Sequence, residues 1–516
     1  MEYLISRNKI FLCFLFLLII CVYAYVGFTS YGYDDEFINI GWVENFTSLE
    51  ILYLDPSINP HHPNGSIFLN SILYKALGDW SLIRAFIGII YAVSLCFSYI
   101  LLSKNMEIFH KAVFFILLCL NPSLLMLGTS LRWYSVFFIL VNCLIILIYK
   151  NPKNPWIFWV LFFFLTILLV NINFLAYLIV PILFFYSAFQ KRKKLKSEIP
   201  FLISYVFFSF TFSLNQISDF IFKFSTVLLT NQTEIYGSEQ FFTLLTSVIG
   251  FGLFQTSGLA SIPFSFSGLI LIAVSLMVFI TLLINFKSVY KEFLYIYLGF
   301  SSFLVFSGLG GSYWSFYFLH LMDSYIRANI IITLPKKYVI LIITLLISSF
   351  LIGSYNLISH NNTMKGTYNL PYQETISEVK KIEREYDCKQ IVIFNHDDGL
   401  SWHLNNNGYQ TFNASITQDR LPLLGKSEDI FYNQDNWKQT SEKSVADCQI
   451  YLSTFMGSME KIRKKSLDDY FRNHDNYVKR IDLKKDKYAN FKRILNKEIP
   501  DYYVELTFLY GSPIGK

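Results

Sequence analysis

The chain of 516 residues is 53% hydrophobic and 18% aromatic, and only 16% of it is charged, against about 25% in ordinary soluble domains. This excludes a disordered, collagenous or wholly soluble protein. The net charge of +6 is unevenly spread: residues 1–357 hold 20 basic and 15 acidic side chains, whereas residues 358–516 hold 23 and 22. The first stretch has a membrane composition and the second a soluble one, so the positive balance is no footprint of a nucleic-acid partner.

A helix that crosses a bilayer needs about 20 mostly apolar residues, because its backbone must satisfy its own hydrogen bonds there. Eleven runs meet that demand, near 10–29, 83–103, 110–128, 133–149, 155–171, 174–190, 199–215, 266–286, 292–309, 316–334 and 338–357. The first follows Arg7 and Lys9, but it is long for a signal peptide and ends in no small-x-small cleavage site, so it reads as an uncleaved first helix. Lysine and arginine stay on the cytoplasmic side of a membrane protein. With the N-terminus inside, fifteen of the twenty basic residues fall in cytoplasmic segments, and Lys75, Arg84, Arg132, Lys223 and Arg327 are left for the outer side. Eleven crossings then put the C-terminus outside.

The expected fold class is therefore a polytopic α-helical membrane protein of about eleven transmembrane helices, residues 1–357, with a C-terminal extracytoplasmic α/β domain, residues 358–516. The first outer loop spans 30–82 and a large outer loop spans 216–265. Within the latter, the apolar stretch 241–262 carries Gly250, Gly252 and Gly258 and reads as re-entrant or interfacial; as a span it would move the C-terminus inside.

Directly after the first run comes Tyr31-Gly32-Tyr33-Asp34-Asp35-Glu36-Phe37, three consecutive carboxylates at the mouth of a membrane helix. A solvated terminus suits such acids, as does the start of a following helix, whose dipole favours them. Against that, clustered like charges at an apolar interface raise one another's pKa unless a cation or a catalytic task uses them. Residues Trp42 to Tyr53 repeat apolar side chains at three and four residues, too short and polar to span, and suit a helix in the membrane surface plane. Asn59-Pro60-His61-His62-Pro63-Asn64-Gly65 breaks the chain before a second mixed helix from Ser66 to Leu77. His61 and His62 admit three readings: a plain turn, hydrogen bonding to an anion, and metal ligation, the last without a further ligand nearby.

Beyond the loop, cations at membrane depth are few, and such groups usually face a cavity or each other. Arg132 lies in Ser130-Leu131-Arg132-Trp133-Tyr134, where it binds an anion or snorkels to the interface. Asp323 and Arg327, four residues apart, share one helical face and suit an ion pair. Cys13, Cys21, Cys96, Cys119 and Cys143 fall in membrane runs, where a thiol acts as a small apolar side chain. Cys388 and Cys448 are the pair of the outer domain, able to join in an oxidising compartment. That domain reads as a helix from Glu374 to Tyr386, a strand from Lys389 to Phe394, an acidic turn at His396-Asp397-Asp398-Gly399, and strands at Cys448 to Ser453 and Tyr502 to Leu509. Its Lys484-Lys485-Asp486-Lys487 run reads as a solvated face.

This order of parts resembles a GT-C glycosyltransferase, of the bacterial branch similar to protein O-mannosyltransferases and lipid A aminoarabinose transferases. The resemblance rests on Asp35-Glu36 after the first helix, two surface helices in the first outer loop, His62-Pro63, Leu77-Gly78, Leu82-Ile83-Arg84 and Asn121-Pro122-Ser123 before Ser130 to Tyr134. Asn64 stands where relatives carry a second proline, and Leu131 where an acidic or small residue is frequent. The resemblance implies an enzyme that moves a sugar from a polyprenyl phosphate donor to an envelope acceptor, a glycan such as O-antigen or lipopolysaccharide, a lipid or a protein. It would act at the outer face of a bacterial inner membrane, among membrane lipids and without nucleic acid. It implies Asp35 as base, Glu36 as its orienting partner and Asp34 as second candidate. His61, His62, Arg84, Arg132 and Arg327 become candidate donor-phosphate contacts, and Tyr134 and Asp323 candidate substrate contacts. No metal ligands are assigned, and a divalent cation, used by some members, stays open as a cofactor. Two other classes compete: a transporter or flippase, which predicts internal repeats that are absent from the sequence, and a glycan polymerase or ligase, which normally carries one large loop amid its helices.

Overall fold

A computed structural model describes residues 2–29, 34–52, 64–104, 106–173, 176–190, 320–358, 372–395, 398–413, 448–454, 477–485 and 502–510, with single positions at 199 and 203. Apart from those two positions, the runs at 199–215, 266–286 and 292–309 and the outer loop 216–265, with its 241–262 stretch, lie outside the described residues.

Four helices among the described residues are long and apolar enough to cross a membrane. They are α1 (Glu2–Thr29), through its Leu12–Thr29 part, α5 (Trp80–Leu102), α8 (Trp133–Lys150) and α9 (Pro155–Ile172). They form on the expected runs. The run at 110–128 does not form one helix. It divides into α6 (Ile108–Cys119) and α7 (Pro122–Gly128), because Pro122 lacks a donor and pushes Asn121 away from helical torsions. Later runs give α10 (Ala176–Gln190), with Pro181 inside it, α11 (His320–Ile331) and α12 (Lys336–Ile358).

The first loop also departs from expectation. In place of one surface helix over 42–53 there are two, α2 (Asp34–Asn45) and α3 (Ser48–Leu52). Thr47 separates them. Its Oγ1 accepts from the Glu50 N–H at 3.3 Å, and its own N–H donates to Glu50 Oε2 at 2.7 Å, a reciprocal cap that starts a new helix. The second helix of the loop is α4 (Gly65–Leu77), closed by Gly78 at φ +69°, whose N–H donates to the Tyr74 carbonyl. Asp79 then caps α5 by accepting from the Leu82 N–H at 2.8 Å.

Close approach joins α1 to α5. A Cβ on Gly27 would stand 2.7 Å from the Arg84 carbonyl oxygen, and one on Gly88 would stand 2.9 Å from that of Tyr23, so only glycine admits this contact. Tyr23 stacks on Tyr91 at 5.8 Å, and Tyr91 meets Phe138 of α8 at 4.9 Å, which carries the aromatic core across three helices.

The chain divides into two units, and α1, residues 39–45 of α2 and α3 to α12 belong to the first. The second unit, with which residues 34–38 are grouped, holds α13 (Tyr372–Glu385), β1 (Ile391–Asn395), α14 (Asp398–Asn406), β2 (Gln410–Asn413), β3 (Cys448–Thr454), β4 (Tyr477–Lys485) and β5 (Tyr502–Tyr510). The strands lie in the order β2-β1-β3-β5-β4, parallel among β2, β1 and β3 and antiparallel from β3 through β5 to β4. Val379 and Ile382 of α13 and Leu400 and Leu404 of α14 are buried with Ile393, Ile450, Leu506 and Phe508 of the sheet. A disulfide joins Cys388 to Cys448 across the start of β1 and β3.

Candidate functional site

The candidate site residues fall on few elements. Asp34, Asp35 and Glu36 form the first turn of α2, where the helix dipole favours carboxylates. Glu36 is buried, at 1% exposure, while the side chains of Asp34 and Asp35 lie outside the described residues. So do His61 and His62 altogether. Near the end of α2, Glu44 Oε1 accepts a hydrogen bond from Trp80 Nε1 at 2.9 Å, and Trp80 stacks on Tyr74 of α4 at 4.4 Å. This ties the end of α2 to the first turn of α5, whose next turn carries Arg84.

Arg84 is 2% exposed. Arg132 is half-buried as the residue that precedes α8, with its guanidinium carbon 5.9 Å from the centre of the Tyr134 ring. Tyr134 is buried and packs on Trp133 at 4.3 Å. Both arginines stand at the same end of the first unit. Asn70 of α4 donates to the Leu131 carbonyl at 2.6 Å, which places the start of α8 beside the helix that also carries Tyr74 and Trp80. At the other end Lys150 Nζ of α8 donates to the Leu101 carbonyl of α5, so the two helices run in one direction. Burial in a low dielectric strengthens what such guanidinium groups do to an anion.

Arg327 is not part of this assembly. It is fully buried on α11, two residues past Tyr325, whose ring lies 6.5 Å from Tyr149 and 5.9 Å from Phe114. Tyr149 is the penultimate residue of α8, and 17 residues of helix at 1.5 Å each separate it from Arg132 by about 25 Å. Since His320, the first residue of α11, bonds the Leu117 carbonyl near the C-terminal end of α6, α11 runs from the arginine-rich end toward the other. Arg327 therefore sits at the far end from Arg84 and Arg132. Asp323 lies one turn before it, with its side chain outside the described residues.

Sequence reasoning passed over Asn70, Glu44 and Trp80. A polar Asn70 among apolar residues on α4, buried at 2% exposure, was the available signal, because such a group needs a partner. It missed the Thr47-to-Glu50 cap too, although Thr-x-x-Glu before an apolar residue announces one.

Membrane-length helices, short helices between the first two of them and a mixed-sheet unit together define the architecture of a multi-pass helical membrane protein with an α/β unit. The solved structures to which the chain is similar are of ArnT, a lipid A aminoarabinose transferase, from Cupriavidus metallidurans. Its apo form aligns with a TM-score of 0.55 at 9% identity, over 96% of this chain and 97% of that one. The form bound to undecaprenyl phosphate aligns with a TM-score of 0.53 at 7% identity, over 98% and 99%. At such identity the likeness establishes the fold. No known family pattern matches the chain, and no curated protein matches it by sequence.

Proposed function

We propose that the protein transfers a sugar from a polyprenyl phosphate donor to an acceptor of the bacterial cell envelope, at the outer face of the inner membrane. The observation that supports this reading is the position of Arg84 and of Arg132 near the first turns of α5 and α8, two helices that run in one direction in a fold similar to that of the Cupriavidus protein bound to undecaprenyl phosphate. An acceptor hydroxyl is a weak nucleophile, so a carboxylate must take its proton as the oxygen attacks. Asp35 has that role, with Glu36 orienting it and Asp34 as the alternative base. The oxygen attacks the anomeric carbon from the face opposite the phosphate, the bond to the phosphate oxygen breaks, and the centre inverts.

The electron pair of the broken bond leaves on the lipid phosphate. Arg84 and Arg132, with His62, meet the charge that develops there, and a guanidinium does so through paired N–H donors. Because a phosphate departs without protonation, one carboxylate suffices. Tyr134, packed beside Arg132, shapes the donor end of the site. The Cys388–Cys448 disulfide supports an extracytoplasmic second unit, since such bonds persist in oxidising compartments. That unit then serves acceptor recognition or supports the outer loops. Membranes that contain the protein, incubated with a panel of polyprenyl phosphate sugars and envelope acceptors, are expected to yield a glycosylated acceptor of inverted anomeric configuration. A product that retains the donor configuration overturns the single displacement.

A further inference from the structure

Asn70 presents a problem that its own helix does not solve. It is 2% exposed and shares the inner face of α4 with Ser66 and Ser71, where a polar side chain survives only if bonded. Its Nδ2 reaches 61 residues along the chain to the Leu131 carbonyl, at 2.6 Å and buried. Leu131 precedes Arg132 in the turn between α7 and α8. The rest of that turn is bonded locally: the Ser130 N–H to the Leu127 carbonyl, the Arg132 N–H to Ser130 Oγ at 3.1 Å, and Ser135 Oγ to the Ser130 carbonyl. The Leu131 carbonyl is thus held from outside the turn by α4. Helix α4 itself is anchored, by Ser71 on Ser48 of α3 and by Gly65 against the Asn171 backbone of α9.

We propose that Asn70 is a positioning residue that acts through Arg132: it fixes the peptide that carries the guanidinium, so that the charge meets the donor phosphate without prior rearrangement. This rests on the reading of Arg132 as a donor contact. A turn free to rotate must be ordered at each binding event, which weakens affinity without altering the contacts made. Two substitutions test it, Asn70→Leu, which keeps the volume and removes the donor, and Asn70→Asp, which keeps the shape and turns the donor into an acceptor.

The full-length protein in detergent is titrated with undecaprenyl phosphate, and hydrogen exchange is followed at the amides of 130–136. Each variant is expected to bind about tenfold more weakly and to exchange faster in that segment. In an Arg132→Gln background, Asn70→Leu is expected to change affinity by less than twofold, because the group it positions is gone. Fold-changes that multiply in the double variant, or exchange at 130–136 equal to that of the parent, overturn the proposal. The exchange measurement needs no ligand. A parent protein that binds no undecaprenyl phosphate would therefore sink the donor reading, while the exchange result still decides whether Asn70 orders the turn.

Discussion

The disulfide of the second unit offers a prediction whose size follows from the chain itself. Cys388 and Cys448 are 60 residues apart in sequence, and Cys448 is fully buried beside β1. Closing a loop of that length removes entropy from the unfolded chain equivalent to about 4 kcal/mol at room temperature. Replacing both cysteines with alanine should therefore lower the free energy of opening of the sheet by about that amount, or about three decades in its opening equilibrium. Hydrogen exchange of the full-length protein in detergent reads this directly, in peptides that cover 448–454 and 391–395, with peptides of α5 and α8 as the internal reference. The double variant should exchange about a thousandfold faster in β1 and β3 and unchanged in α5 and α8. An acceleration under about tenfold would refute the reasoning, because the bond would then close no loop that the unfolded chain leaves open.

Other perturbations separate the roles of single side chains. Arg84→Gln and Arg132→Gln should each raise the donor KM about tenfold or more, as loss of a charged hydrogen bond does. Arg327→Gln should leave it within twofold and lower thermal stability instead; a KM rise equal to the other two would contradict the placement of Arg327. The Thr47 N–H, and after it the Thr47 hydroxyl, lower the pKa of the Glu50 carboxyl from its ordinary value. A depressed folded-state pKa gives stability above the unfolded value of about 4, lost as pH falls through the folded one. Amide protection in 47–52 should accordingly fall on acidification below about pH 4 and be insensitive to pH in Glu50→Gln, which keeps the shape and removes the titrating group; equal behaviour of the two proteins would remove the cap. Trp80→Phe deletes the bond to Glu44 and should lower stability by about 1 kcal/mol in thermal unfolding, whereas an unchanged transition would show that Glu44 anchors nothing there.

Among the described residues, the helices α1, α5, α8 and α9 were legible because a bilayer demands length and apolarity, and they show both. The limits of legibility were local. The apolar run over 110–128 hid its break because hydropathy does not register the backbone effect of Pro122. In the second unit, strands at β1, β3 and β5 were visible as apolar runs, while β4 was not. It is an edge strand rich in Lys and Arg, as edges that resist mispairing are, and an irregularity between Tyr477 and Lys479 breaks its alternation before Ile481 and Leu483. Strand β2 is only four residues long and too polar to stand out. Of the candidate site, the sequence offered residues to consider but not their placement. Arg327 and Arg132 are alike in sequence as cations at membrane depth, and the contact of Tyr325 with Tyr149, near the end of α8 away from Arg132, separates them.

The central claim is that a carboxylate on the first turn of α2 drives transfer from a polyprenyl phosphate sugar. The most direct measurement follows release of polyprenyl phosphate from a set of such donors by the purified protein and by Asp35→Asn, both in detergent with an envelope acceptor extract. Acceptor-dependent release by the parent is expected with at least one donor, and none by Asp35→Asn at equal yield and thermal stability. Equal release by the two proteins, or no release from any donor in the set, would contradict it.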